Sequence, residues 1–187
     1  MKIHQDINLT YKTDPYATHQ PALIWALENS NKNILELGVG DSSTLLLHKS
    51  IKNNKIISVD DNQEWLDKYL HLENKNHKFF YVNPTLLDWN NKIDEFLNLE
   101  WGIVFVDHAS QEHIWRSSRP YAIKKLVECS DFVIAHDADL FPEIKTNEYN
   151  WFEYIPTQKP VPDRNGPSTY IISKKYDLNN IKIKDYE

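Results

Sequence analysis

The chain has 187 residues, of which 41% are apolar and 26% charged, with a formal net charge of −6. That length fits one domain with a full core, and the balance is that of a globular protein. The acidic excess without any basic stripe argues against a nucleic-acid partner, and no polybasic segment or apolar run near the ~20 residues of a span points to a membrane.

Residues 1–18 read as a polar, irregular arm, and the opening MKIHQDINLTYK lacks the apolar core of a signal peptide. Pro21 to Leu27 has apolar residues at helical spacing with proline near the start, and this helix should end near Asn29-Ser30-Asn31. Ile34 to Leu37 is a short strand carrying Glu36. It breaks at Gly38-Val39-Gly40 and runs through Asp41-Ser42-Ser43-Thr44 into a helix ending near Ser50. Two of the chain's four glycines lie in this one turn. A strand, a glycine turn and a helix start in succession lay backbone N–H groups against a ligand. The plain alternative is an ordinary tight connection.

Lys55 to Val59 is β-branched and reads as a second strand, closing on Asp60-Asp61-Asn62. Gln63 to Leu72 is helical, with Trp65, Leu66, Tyr69 and Leu70 on one face. Lys78 to Val82 is a third strand, broken by Asn83-Pro84. The next helix starts at Leu86 and turns Ile93, Phe96 and Leu97 inward. Ile103 to Val106 is a fourth strand, ending at Asp107-His108. A polar loop is expected through Arg116-Ser117-Ser118-Arg119, with Pro120 opening a helix. The single cysteine, Cys129, reads as a small buried residue. It cannot form an internal disulfide, which suits a reducing, cytoplasmic setting. Phe132 to Ala135 is a fifth strand and closes on His136-Asp137-Ala138-Asp139. Two last strands, near Trp151 to Ile155 and Thr169 to Ser173, have no helix between them and should pair antiparallel.

Strands alternating with helices imply a single α/β domain over 1–187: a Rossmann-like, doubly wound, mostly parallel seven-stranded sheet with a C-terminal antiparallel hairpin. Glu36, Asp60, Asp107 and Asp137 stand at strand ends. Any one of them could be a helix cap. Together they line the edge where open α/β sheets bind ligands, and they suit hydroxyls, an ammonium or a metal ion.

Glu36-Leu37-Gly38-Val39-Gly40 and Val59-Asp60-Asp61 resemble the class I S-adenosylmethionine-dependent methyltransferases over about residues 20–175. The position of that family's third glycine is Ser42 here. The resemblance implies a cofactor site of Glu36, Gly38, Gly40, Ser43, Thr44, Asp60, Asp61 and Asp107. Asp60 would hold the ribose hydroxyls, Glu36 the α-ammonium and Asp88 the adenine, with Trp89 stacked beside it. Catalysis would fall to Asp107, His108, His136 and Asp137. Some sugar and small-molecule O-methyltransferases of the family hold a divalent cation (Mg²⁺, Mn²⁺ or Ca²⁺) on acids at these two strand ends. Here Asp107, Asp137 and Asp139 would be its ligands; without metal, His108 or His136 would be the base.

Arg116 and Arg119, in the expected loop, would clamp a carboxylate or phosphate of the substrate. Glu143 to Tyr149 and Gln158 to Pro167 would be lids, and Trp115, Tyr149, Trp151 and Tyr154 would line a ring pocket. The function expected is O-methylation of a small polar molecule such as a sugar, with a homo-oligomer left open. Its competitors are a metal-dependent nucleotide-sugar glycosyltransferase using Asp137-Ala138-Asp139 and a non-catalytic Rossmann-like module.

Overall fold

A computed structural model describes residues 9–109, 111–156 and 167–184. The strands are β1 (Ile34–Leu37), β2 (Ile56–Asp60), β3 (His77–Tyr81), β4 (Trp101–Val106), β5 (Ser130–Ala135), β6 (Asn150–Tyr154) and β7 (Thr169–Ser173). The helices are α1 (Gln20–Asn29), α2 (Thr44–Lys49), α3 (Gln63–Tyr69), α4 (Leu86–Glu95) and α5 (Glu112–Leu126).

One seven-stranded sheet runs β3-β2-β1-β4-β5-β7-β6. β1 lies parallel to β2 on one side and β4 on the other, with Ile34 opposite Ile56 and Ile103. β7 inserts between β5 and β6 and is antiparallel to both. The strand order reverses between β1 and β4, so their carboxyl ends open a crevice where the connections leave in opposite directions.

Every residue of β1, β4 and β5 is buried, because helices cover both faces of the sheet. Strand alternation divides the core in two. Leu35, Leu37, Val104 and Val106 pack against Trp89 and Ile93 of α4 and Ile123 and Leu126 of α5. Ile34, Ile103 and Phe105 pack on the other face against Leu23 and Ile24 of α1 and Leu47 of α2. Each fully buried side chain of this size contributes roughly 2 kcal/mol. Among the described residues no helix is long and apolar enough to cross a membrane.

The expected loop before Pro120 is a helix. α5 begins at Glu112 and carries Pro120 in its interior. Proline there removes one amide donor. The apolar stripe of Ile114, Ala122, Ile123 and Leu126 still packs the helix against the sheet. Tertiary burial outweighs the local cost. Arg116 and Arg119 therefore sit on a helix.

Candidate functional site

The glycine turn is fixed from two sides. Gly38 has φ +101°, and a Cβ placed on it would lie 2.5 Å from the Asp107 carbonyl oxygen. Only glycine combines that conformation with that approach of β1 to β4. On the other side Asp60, at the end of β2, accepts the Val39 N–H at 2.6 Å and the Asn62 N–H at 2.7 Å. Burial pushes the Asp60 carboxyl up to about 6, against those two amide donors. Gly40 is different. A Cβ there would meet nothing nearer than the Ser43 Oγ, at 3.9 Å. Gln20, at the start of α1, holds the turn by donating to the Ser42 carbonyl at 3.1 Å.

A cleft lies over this turn at the carboxyl edge of the sheet. Its larger lobe, about 320 Å³, is bounded by the turn and by Asp14, Tyr16, His19, Trp65 and Asp107. Its smaller lobe, about 140 Å³, is bounded by Val39, Asp60, Asp61, Asn62, Trp65, Asp107 and Ala109. Val39, Trp65 and Asp107 belong to both, so the lobes form one elongated groove. A further hollow of about 370 Å³ lies at the opposite edge, around Lys32, Asn54 and Asp131, away from every parallel-strand carboxyl end.

Asp107 is the centre of a charged cluster. Arg119 reaches it with Nη1 at 2.9 Å and donates Nε–H to the His108 carbonyl at 2.8 Å. The same guanidinium is 3.7 Å from Asp137. His136 Nδ1 lies 3.2 Å from Asp107 Oδ2, and its Nε2 meets the Thr18 hydroxyl at 3.0 Å. Burial would raise the Asp107 carboxyl, but His136 and Arg119 outweigh it and hold the group well below the usual carboxylate range. Burial likewise pulls His136 down, and the Asp107 carboxylate more than offsets it, so the imidazole ends above its ordinary value. Next to His136, with ring centroids 4.7 Å apart, is His19. It is buried, and among the described residues neither of its ring nitrogens has a hydrogen-bond partner. Burial first, and then His136, lower its pKa to about 3. Two non-glycine residues with positive φ, Ala109 at 71° and Asp137 at 52°, follow β4 and β5 at this edge.

The structure gathers Gly38, Gly40, Ser43, Asp60, Asp61 and Asp107 around the groove. Other expected residues stand elsewhere. Glu36 is fully enclosed beneath the turn, where it accepts from Ser43 Oγ (2.7 Å), Thr44 Oγ1 (2.9 Å) and Ser58 Oγ (2.5 Å). Its place is structural, as is that of Thr44, because Glu36 shares the inward parity of Ile34. Asp88 accepts from the Thr85 hydroxyl while its N–H donates to that same oxygen, an N-cap at the start of α4. Trp89 is fully buried and donates its indole N–H to Asp61 at 3.0 Å, so it offers no open face for adenine. The His108 ring is buried against Trp89, 4.2 Å between centroids, away from the groove. Burial, and then Arg119, lower its pKa well below the ordinary value.

Asp139 turns to the Ser168 N–H at 3.1 Å. Arg116 pairs with Glu112 along the exposed face of α5. Arg119 faces Asp107 from inside the protein and offers no open clamp. Tyr149 and Tyr154 are buried, Trp115 packs edge-on against Phe141, and Trp151 is exposed on the edge strand β6. Nearly all of the proposed lid 158–167 lies outside the described residues. The expected arm supplies Asp14, Tyr16 and Thr18 to the site, and His19 follows directly, before α1.

No family profile and no curated protein matches this sequence. Solved structures do. A Klebsiella pneumoniae protein assigned as an O-methyltransferase superposes with a TM-score of 0.61 at 12% identity, covering 91% of this chain and 82% of its own. A Streptococcus mutans protein assigned as a methyltransferase, in complex with S-adenosylhomocysteine (SAH), gives 0.56 at 14% identity, covering 86% and 98%. The N-methyltransferase NodS of Bradyrhizobium japonicum gives 0.54 at 11% identity, covering 83% and 92%. The fold is therefore that of the class I S-adenosylmethionine-dependent methyltransferases, a mostly parallel seven-stranded sheet with antiparallel C-terminal strands.

Proposed function

We propose that this chain is an S-adenosylmethionine-dependent methyltransferase acting on an oxygen of a small polar molecule. One observation carries the reading. The glycine turn, anchored on Asp60, forms the base of a two-lobed groove whose lobes meet at Val39, Trp65 and Asp107. An extended nucleoside with an amino-acid tail fits that shape. Its ribose hydroxyls belong beside Asp60 and Asp61 in the smaller lobe, where a carboxylate can accept both. Its aminoalkyl end belongs over Gly38 and Gly40, among Asp14, Asp41 and Asp107. The Streptococcus mutans relative holds a cofactor product of this kind, and the Klebsiella pneumoniae relative supports oxygen as acceptor.

The bound cofactor supplies an electrophilic methyl group on a sulfonium. The chain supplies placement: Asp60 fixes the turn, Arg119 fixes Asp107, and the larger lobe seats the acceptor. The acceptor's proton leaves toward the wall that carries Asp107 and His19.

Asp107, Asp137 and Asp139 do not fit an oxygen-ligated cation. Arg119 stands against the first two, and Asp139 is turned to a backbone amide. That same divergence leaves the Asp-x-Asp glycosyltransferase reading without its metal clamp.

Calorimetric titration with S-adenosylmethionine and SAH, for the wild type and Asp60→Ala, tests the proposal. Micromolar binding, about −8 kcal/mol, is expected for the wild type and its loss in the variant. No binding by a wild type shown folded by circular dichroism would refute it. Binding without transfer to any hydroxylated acceptor would favour the non-catalytic module.

A further inference from the structure

We infer that His19, Asp107 and His136 form a binding site for one divalent transition-metal ion, with two imidazole nitrogens and one carboxylate oxygen as donors. The three groups each place a ligand atom within 4.8 Å of the others. They come from three elements: the residue before α1, the end of β4 and the end of β5. This donor set differs from the all-oxygen set expected from the sequence, which Arg119 and Ser168 take apart.

The strongest observation is His19. Its ring is buried, lines the larger lobe, and has no hydrogen-bond partner at either nitrogen among the described residues. The Ser42 carbonyl lies close enough to favour a protonated ring, but outside hydrogen-bonding geometry. A buried polar group without a partner is destabilising, and a metal ion bound through one nitrogen removes part of that cost.

His136 is arranged as a ligand. Its Nε2 is held by the Thr18 hydroxyl, so Nδ1 is the nitrogen turned to the cluster. Such a contact behind a coordinating imidazole fixes its orientation. Nδ1 and Asp107 Oδ2 are 3.2 Å apart. Two donors sharing an ion at about 2.1 Å each lie about 3–3.5 Å apart, so this pair is already spaced for one ion. Asp107 Oδ1 is taken by Arg119, which leaves Oδ2 for the ion. Two carboxylates, Asp107 and Asp137, face one guanidinium there, so with His136 neutral, as a ligand must be, the cluster keeps one negative charge for a cation.

Two imidazoles and a carboxylate select zinc, manganese, iron(II) or cobalt over magnesium or calcium. Three protein donors also leave at least one coordination position for a water or an acceptor oxygen on the groove side. Metal binding stands on these side chains alone and does not require the methyl-transfer reading.

The test titrates chelator-treated protein with ZnCl₂, CoCl₂ and MgCl₂ by calorimetry, and records the visible absorption of the cobalt form. One equivalent of zinc or cobalt, a cobalt d–d band and no magnesium binding are expected. His19→Ala should weaken zinc more than tenfold and shift or abolish the band. Thr18→Val keeps all three donors and should weaken zinc about 10–100-fold, as outer contacts to ligands do. Circular dichroism confirms folding of each protein. A folded wild type that binds no zinc overturns the inference. Zinc binding that His19→Ala leaves within twofold also overturns it, because the ion then sits on other histidines such as His48 and His77, whose Nδ1 atoms are 3.0 Å apart. Magnesium binding preferred over zinc overturns it in favour of the carboxylates.

Discussion

Replacing Gly38 and Gly40 separately by alanine should divide the turn's two roles. At Gly38 an L side chain must adopt φ +101°, which costs on the order of 1–2 kcal/mol. Its Cβ would also meet the Asp107 carbonyl oxygen at 2.5 Å and the His108 amide nitrogen at 2.9 Å. Those atoms are backbone, and they yield only if β1 and β4 part, an overpacking cost of about 1–3 kcal/mol. Gly38→Ala should therefore lose roughly 2–5 kcal/mol, a large part of a domain's usual stability. At Gly40 the nearest atom is 3.9 Å away, so Gly40→Ala should leave stability unchanged or raise it by about 0.5 kcal/mol. The same Cβ would stand where the cofactor's aminoalkyl end passes, and S-adenosylmethionine binding should weaken at least tenfold. Urea unfolding followed by tryptophan fluorescence gives the first quantity, and calorimetry the second. A Gly38→Ala protein as stable as the wild type would refute the packing of β1 on β4. A Gly40→Ala protein with unchanged affinity would refute the course assigned to the cofactor.

Arg119→Ala should cost about 3 kcal/mol in urea unfolding, since it leaves Asp107 beside Asp137 without its cation; a loss below about 0.5 kcal/mol would show that solvent already neutralises that pair. Glu36→Gln tests a titration. Burial raises the Glu36 carboxyl from its ordinary 4.5 to about 7, against the three hydroxyls that favour the charged form. The folded state thus holds the proton more tightly than the unfolded one. The stability this brings is present below pH 4.5 and is lost as pH rises through 7. The wild type should lose up to roughly 3 kcal/mol relative to Glu36→Gln between pH 4.5 and 8 in parallel urea curves, and parallel pH profiles would refute the shift.

The sheet was legible because its central strands are buried on both faces and so form short, mostly apolar runs with an acid in them or within two residues of their ends. The turn was legible because two of few glycines fell between such a run and a helix. The site was only half legible. Asp61 and Asp88 are both acids near strand ends, and only the packing of Trp89 sets the first beside the groove and the second on a cap. Pro120 carried the wrong sign: a fixed φ near −65° suits a helix interior as well as its start once the amide is dispensable. Thr18 and His19 fall in turns with no periodicity, and Thr18 meets its partner His136 across 118 residues. Glu36 did leave a signal. Strand parity places it on the side of Ile34, facing α2, and not at the groove.

The charge of the groove bears on the direction of the proposed reaction. Asp14, Asp41, Asp60, Asp61 and Asp107 surround the two lobes; Lys68 pairs with Asp41 and Arg119 with Asp107, which leaves Asp14, Asp60 and Asp61 without a salt bridge among the described residues. Such a surface favours a cationic ligand. S-adenosylmethionine carries an ammonium, a sulfonium and a carboxylate, a net charge of about +1. Loss of the methyl group turns the sulfonium into a neutral thioether, so SAH is close to neutral. The groove therefore attracts the substrate form electrostatically and not the product form, which helps exchange after each turnover. Raising salt from ~0.05 to ~0.5 M shortens the screening length from above 10 Å to below it and should weaken S-adenosylmethionine binding more than SAH binding. Equal salt dependence of the two affinities, measured by calorimetry, would show that the acids are screened or paired before the cofactor arrives, and that shape alone holds it.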